Sequence, residues 1–393
     1  MSNGADGQTD PNIGSDAGPT RSLPEATRPN PSDRVPDRIW VPAIGAGLLA
    51  ILFVVALLVR AGGDVSLLVH AAPPWTSADD APSSLTVQEE GEDFDGQFFY
   101  RLGVAPWSTD ERVAGVEFDL PALRNARWGY GALAWVASGA DTDLVPWALV
   151  GLNVAAMAAV GAVGGGLARS SGRHAAWGLL FALWPGFAYS LSMNTSELVA
   201  STFVLGGLLA ARHRRWVPTA ALLSAAAITR DTTIVVAAGL AAAGAWTWLT
   251  SLTTGPGARS RAAADPSDST PSDSTSNDSS THSSTDSSTD SSNDSGGLAL
   301  VATGAVAIVV FAAWQLLQRA RFGELPLTSS GDNNLSAPLS GLVDQLGEVL
   351  PPSSSAEALR LVCIVGLVAL TAAAAWAIRT TSASATATGV EAS

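Results

Sequence analysis

Residues 41 to 61, VPAIGAGLLAILFVVALLVRA, form an unbroken apolar run with one charge near its end. As an α-helix a run of this length rises about 30 Å, the hydrocarbon thickness of a bilayer. Comparable runs follow at 144–168, 175–193, 198–211, 216–229 and 232–250, and again at 297–317 and 358–378. A chain patterned in this way is expected to fold as an all-α integral membrane protein, because a helix satisfies its own backbone where no water can. About eight transmembrane helices are expected on length alone. The shorter run WGYGALAWVASG at 128–139 cannot cross by itself, and stands either as a re-entrant piece or as a ninth span.

Composition supports this division. The chain has 393 residues, is 47% hydrophobic and carries a formal net charge of −14, a combination that suits apolar spans joined by polar segments better than one soluble globule. Much of the acid lies in two stretches with little to bury. Residues 1–38 are rich in Pro, Gly, Ser and Asp, and residues 252–296 contain the repeat SDSTPSDSTSNDSSTHSSTDSSTDSSNDSGG. Both are expected to be disordered, as is a tail at 381–393. They flank an N-terminal membrane bundle at 39–251 and a C-terminal helical part at 297–380. The single cysteine, Cys363, lies in an apolar run, so no disulfide or cysteine metal site forms within the chain. No cleaved signal peptide is expected, since the first apolar run is long enough to span and lacks a small-residue cleavage site behind it. No nucleic-acid partner is expected either.

Arginine, the only basic residue besides histidine, sets the orientation. If 128–139 does not cross, then Arg34, Arg38, Arg169, Arg173, Arg212, Arg214 and Arg215 share one side, joined by Arg259, Arg261 and Arg379. That side is expected to be cytoplasmic. Arg319, Arg321 and Arg360 run against the trend. Both termini are then cytoplasmic, and a multi-pass protein of the cell membrane presents the loops 62–143 and 318–357 outside. The turn NTSE at 194–197 and the pair Arg230-Asp231 fall on the same outer side.

The outer loop carries an unusual stretch, GEDFDGQFFYRLG at 91–103, in which carboxylates run directly into aromatics. In one reading Asp95 caps a short helix over 96–104. Phe98, Phe99 and Leu102 would then lie on lipid while Gln97, Tyr100 and Arg101 face water. In the other, Asp95 stands at the bilayer surface as a general base for an acceptor hydroxyl, or with Asp93 as an oxygen ligand to a divalent cation. Arg124 and Arg127 in FDLPALRNARWGYG are expected on one helical face, and Arg230 opens a span from the same side. Three arginines around one surface pocket suit a phosphate leaving group.

In DFDGQFFYRL, LRNARWGYGALAWVAS, LWPGFAYSLSMNTSELVASTFVLGGLLAARHRR and LLSAAAITRDTTIVV, taken in this order, the sequence resembles the polytopic C-type glycosyltransferases. It is most similar to mannosyltransferase-like integral membrane proteins distantly similar to the GPI-anchor mannosyltransferases. The resemblance covers roughly residues 40–250, with weaker echoes in RFGELP at 321–326 and NLSAPLSGL at 334–342. It implies a helical membrane bundle that takes a sugar from a polyprenyl-phosphate donor, with inversion, at the outer face. An acidic residue of the first outer loop acts as base in that superfamily, which by resemblance gives Asp95 the role and Asp93 second place. Substrate contacts are then expected from Gln97, Tyr100, Arg101, Arg124, Arg127, Glu197 and Arg230. The donor and membrane lipid are the implied partners, and the acceptor is a glycan, lipid or protein.

Two rivals belong to other classes. A transporter or flippase places ionisable or helix-breaking residues near the bilayer midplane, whereas here the ionisable residues gather at span ends. A non-catalytic membrane scaffold with disordered arms is the other.

Overall fold

The computed structural model describes residues 37–253 and 290–329, with a few isolated positions beyond them. The expected tails, most of the 252–296 segment, most of the 318–357 loop including NLSAPLSGL, and the run 358–378 lie outside the described residues.

Within them the chain is helical apart from one small ribbon. Four segments are long and apolar enough to cross a membrane, as in an all-α membrane protein: Trp40–Arg60, Thr142–Ser170, Asp231–Thr250 and Gly296–Phe322. They hold helices α1 (Trp40–Arg60), α5 (Val145–Ser170), α10 (Ile234–Thr253) and α11 (Asp290–Phe322).

Three of the expected spans take a different form. The run 175–193 is broken into a 3-10 turn at Ala175–Gly178, then α6 (Leu179–Ala182) and α7 (Pro185–Met193). Pro185 is the cause: it drives Trp184 to ψ 123° and ends the helical path. α8 (Glu197–Arg212) has 16 residues and α9 (Trp216–Thr229) has 14. At 1.5 Å per residue these rise about 24 and 21 Å, short of a full crossing.

Small residues let the long helices meet. α1 buries Pro42, Ala46, Gly47, Ala50 and Val54 against α5 and leaves Leu48, Leu52 and Val59 exposed. A Cβ at Gly161 would stand 2.4 Å from the Pro42 carbonyl oxygen, so the α1–α5 crossing exists only with glycine there. α10 and α11 approach in the same manner at Gly244 and Gly304.

The stretch between α1 and α5 folds into a cap of its own. It comprises a 3-10 turn (Val65–Val69), α2 (Gly96–Val104), strands β1 (Arg112–Val113) and β2 (Val116–Glu117), α3 (Pro121–Ala126) and α4 (Trp128–Ala137). The strands pair antiparallel through a turn in which Ala114 and Gly115 both have positive φ, the backbone a tight hairpin needs. The run 128–139 thus forms a ten-residue helix. It rises about 15 Å, half of the hydrocarbon layer.

α2 overturns the interfacial expectation. Phe98, Phe99 and Leu102 are buried, but so are Gln97, Tyr100 and Arg101, which were expected in water. The helix is the core of the cap. Phe99 meets Tyr130 edge-on at 5.2 Å and Phe98 packs on Phe118 at 5.9 Å. The physical reason is that Gln97 and Arg101 have partners inside. The Gln97 Oε1 accepts from Thr76 Oγ1 at 2.7 Å. Arg101 donates to the carbonyls of Glu111 (2.9 Å) and Asp110 while its guanidinium lies 3.8 Å over the Phe118 ring.

Candidate functional site

Asp95 occupies the residue before α2, but its side chain makes no capping hydrogen bond. The capping reading therefore fails in its mechanism. The carboxylate instead reaches across the cap to α3, accepting from Arg124 Nη1 at 2.7 Å and lying 3.5 Å from Arg127 Nη1. What places it there is Gly96. A Cβ at that position would stand 2.5 Å from the Val69 carbonyl oxygen and 2.7 Å from that of Met193, so α2 starts in a slot between the 3-10 turn and α7.

Arg124 is the anchor of the group. Its Nε and Nη2 donate to the two oxygens of Asp119 at 2.7 Å each, a bidentate fork, and its guanidinium lies 4.1 Å over Phe98. Burial works against this charge, but the Asp119 hydrogen bonds and the Asp95 charge outweigh it and raise the pKa. Arg127 does not share a helical face with Arg124. It sits at the kink between α3 and α4 with ψ 39°, and from there its Nε lies 3.5 Å from Asp231 Oδ1. Burial, followed by the neighbouring Arg230 charge, lowers the Arg127 pKa.

The start of α4 and the end of α9 touch at Gly129. A Cβ there would lie 2.2 Å from the Thr229 hydroxyl, which explains why a glycine follows Trp128. This contact brings Arg127 beside Arg230 and Asp231. Arg230 Nη1 lies 2.9 Å from Glu197 Oε1, without the alignment of a hydrogen bond.

Glu197 opens α8 and is set by a buried polar network. Its Oε2 accepts from Ser190 Oγ at 3.2 Å, and Ser190 Oγ lies 3.0 Å from Thr195 Oγ1. Asn153, in the middle of α5, directs its Nδ2 at the Tyr130 hydroxyl (2.8 Å) and at the carbonyls of Ser190 and Thr195 (3.3 Å each). Asn194 turns the chain between α7 and α8 with φ 48° and donates to the Leu68 carbonyl at 3.1 Å. One turn of NTSE therefore joins the cap to the bundle.

The structure thus brings together Asp95, Arg124, Arg127, Glu197 and Arg230, and adds Asp119 and Asp231. Asp93 is partly buried and belongs to no ion pair of the group. Gln97, Tyr100 and Arg101 stand apart in the cap core, where burial pushes Tyr100 up to about 12 and Arg101 down to about 10. Asp119 had one sequence signal: it closely precedes Pro121, a first-turn proline, and so faces the helix that carries Arg124.

As to metals, among the described residues no three His, Cys, Asp or Glu side chains are grouped to hold an ion. Asp95, Asp119, Asp231 and Glu197 are each engaged by a guanidinium. That donor set does not fit a divalent cation, and none enters the chemistry below. No family model, curated protein or solved structure matches this chain.

Proposed function

We propose that the chain is a membrane glycosyltransferase of the C type, working at the outer face and transferring a sugar from a polyprenyl-phosphate donor to an acceptor hydroxyl with inversion. One observation carries the reading: an aspartate at a helix start forgoes capping and lies between two arginines, Arg124 and Arg127, in a folded cap. An inverting transfer needs this pairing, a base beside positive charge. Asp95, about a quarter exposed, retains free lone pairs beyond its two guanidinium contacts. It takes the proton of the acceptor hydroxyl as that oxygen attacks the anomeric carbon. The guanidiniums stabilise the charge that gathers on the departing lipid phosphate.

The full arrangement would have about eight spans, with both termini in the cytoplasm of a cell-membrane protein. The apolar donor tail stays in the bilayer while the cap holds the polar head. The acceptor is a glycan, lipid or protein reached from outside.

A second reading has its own support. Every arginine of the group already faces a carboxylate, which also describes a latch holding the cap on the bundle. Asp95→Asn separates the two. Asn keeps an oxygen for Arg124 but cannot accept the proton. Under the catalytic reading, sugar transfer from polyprenyl-phosphate donors in proteoliposomes falls about 100-fold or more at equal protein amount. Under the latch reading, transfer is unchanged and only stability drops.

A further inference from the structure

The broken run after α5 shares its height with α1. At one end the Ala175 N–H donates to Asp37 Oδ1 at 2.7 Å, just before α1 begins. At the other, Asn194 donates to the Leu68 carbonyl, just after α1 ends. The break at Leu183-Trp184 therefore falls near half-height. It leaves a cavity of about 190 Å³ between α1, α5 and the two short helices, with Leu49, Phe53, Met157, Leu183, Trp184 and Leu191 in its walls.

Those residues give the depth. Leu49 and Phe53 stand near the middle of α1 (Trp40–Arg60), and Met157 at the middle of α5 (Val145–Ser170). Both helices belong to segments long and apolar enough to cross a bilayer. A cavity at their midpoints lies near the bilayer midplane, about 15 Å from either surface of the hydrocarbon.

The lining excludes water. Apart from the Trp184 indole N–H, every side chain in it is a hydrocarbon or a thioether. A buried water needs at least two polar partners, and an apolar cavity of this size stays dry and takes an apolar guest. Left empty, it would deprive its walls of contacts on one side. The cavity also opens sideways. Leu183 is 57% exposed, Leu49 43% and Trp184 38%, so the rim continues the exposed apolar face of α1 at Leu48 and Leu52. On a crossing helix that is the face in contact with lipid.

We infer that this cavity is a seat for the end of one acyl chain of a bilayer phospholipid, which fills the gap at Pro185 and ties α1 to α7. Depth decides among hydrocarbons. A phospholipid chain starts at the hydrocarbon surface and ends at the midplane. A polyprenyl chain anchored at the same surface is far longer than half of the layer, and would bring its branched middle to this depth rather than its end. The inference rests on the crossing helices and not on glycosyl transfer.

Trp184 is the reporter. Full-length protein is placed in nanodiscs of phosphatidylcholine, or of the same lipid brominated near its chain ends or near its carbonyls, since bromine quenches tryptophan on contact. The quenching lost in Trp184→Phe is the share that belongs to Trp184. That share is expected to be at least about twofold larger with chain-end bromine. Ala188→Leu fills the cavity and leaves the rim in place, and is expected to cut the chain-end share to about half or less. Leu183→Phe narrows the mouth from an exposed position and is expected to act in the same direction, so the test does not hang on Ala188→Leu folding.

Equal quenching from the two bromine positions overturns the inference, because the cavity is then not at the midplane. An unchanged share in folded Ala188→Leu or Leu183→Phe protein overturns it too, since Trp184 then meets bulk lipid and no seat. Relief of the chain-end quenching by unbrominated polyprenol at low mole fraction gives the cavity to a polyprenyl chain and overturns the acyl assignment. Sugar transfer by Asp95 variants bears on none of these results.

Discussion

Gly96→Ala sets two physical effects against each other. Alanine is the better helix former by about 1 kcal/mol, so propensity alone favours the substitution at the first residue of α2. The surroundings oppose it. The new Cβ would lie 2.5 Å from the Val69 oxygen and 2.7 Å from the Met193 oxygen, both backbone atoms. Neither backbone is free to retreat. His70, next to Val69, accepts from the Phe94 N–H at 3.1 Å, and its ring faces the Ser192 carbonyl at 3.2 Å. Asn194, next to Met193, holds Leu68. Overpacking a rigid slot costs typically 1–3 kcal/mol and at times more. After the propensity gain, a net loss of about 1 kcal/mol is expected, or a fall in Tm of roughly 2–4 °C for a body of this size. The relief of the clash moves the start of α2, and Asp95 with it, away from Arg124. A displacement near 1 Å is enough to cost about 100-fold in transfer. Thermal unfolding in detergent, followed by tryptophan fluorescence, reads the stability term. Gly151→Ala in α5 is the control, since nothing lies within 4 Å of its Cβ position. If Gly96→Ala melts at or above wild type, as the control is expected to, the slot is not tight and the account of how Asp95 is placed is wrong.

Two further outcomes are expected. Single cysteines at Ser83 in the cap and at Ser171 after α5, with Cys363→Ser, should label differently in intact cells: an impermeant thiol reagent reaches Ser83→Cys only, and equal labelling refutes the orientation drawn from the arginines. Asp64 is held below its ordinary 3.8, burial being outweighed by hydrogen bonds from Thr86 and Ser66. A carboxylate whose folded pKa is depressed contributes stability fully above its unfolded value, and that contribution is lost as pH falls through the folded value. Hydrogen exchange around residues 64–88 should therefore accelerate as pH falls below 3.8 in wild type, and Asp64→Asn should remove that step; an identical pH profile in the variant refutes the assignment.

What was legible in the sequence follows from the range of the interactions involved. The long runs that became α1, α5, α10 and α11 are decided by their own length and apolarity, which a window of residues contains. The break at Trp184-Pro185 was equally local, being a proline effect, but it was hidden inside an apolar run. α2 was not legible. Its alternation of polar and apolar residues fits an amphipathic surface helix, and only the tertiary partners Thr76, Glu111 and Phe118 make Gln97 and Arg101 suitable for a core. Asp95, Arg124, Arg127, Glu197 and Arg230 were picked out by their motifs, their common side of the membrane and the family resemblance. Their geometry was not, because it depends on close approaches at Gly96 and Gly129 that no spacing reveals.

The ion pairs themselves follow from where the cluster sits. A guanidinium beside an apolar bundle cannot be left bare, since stripping one partner from a part-buried pair leaves an uncompensated charge. Arg124, Arg127 and Arg230 thus require carboxylates to fold at all, whatever their later task. The pairs differ, however, in how firmly they are made. Arg124 with Asp119 is a fork with both bonds at 2.7 Å, whereas Arg127 lies 3.5 Å from each of its carboxylates and Arg230 meets Glu197 out of alignment. Structural need alone would favour three firm pairs. Arg124, held at 2.7 Å by both Asp119 and Asp95, is therefore the fixed anchor of the group, and Arg127 and Arg230 are the members whose pairs can give way.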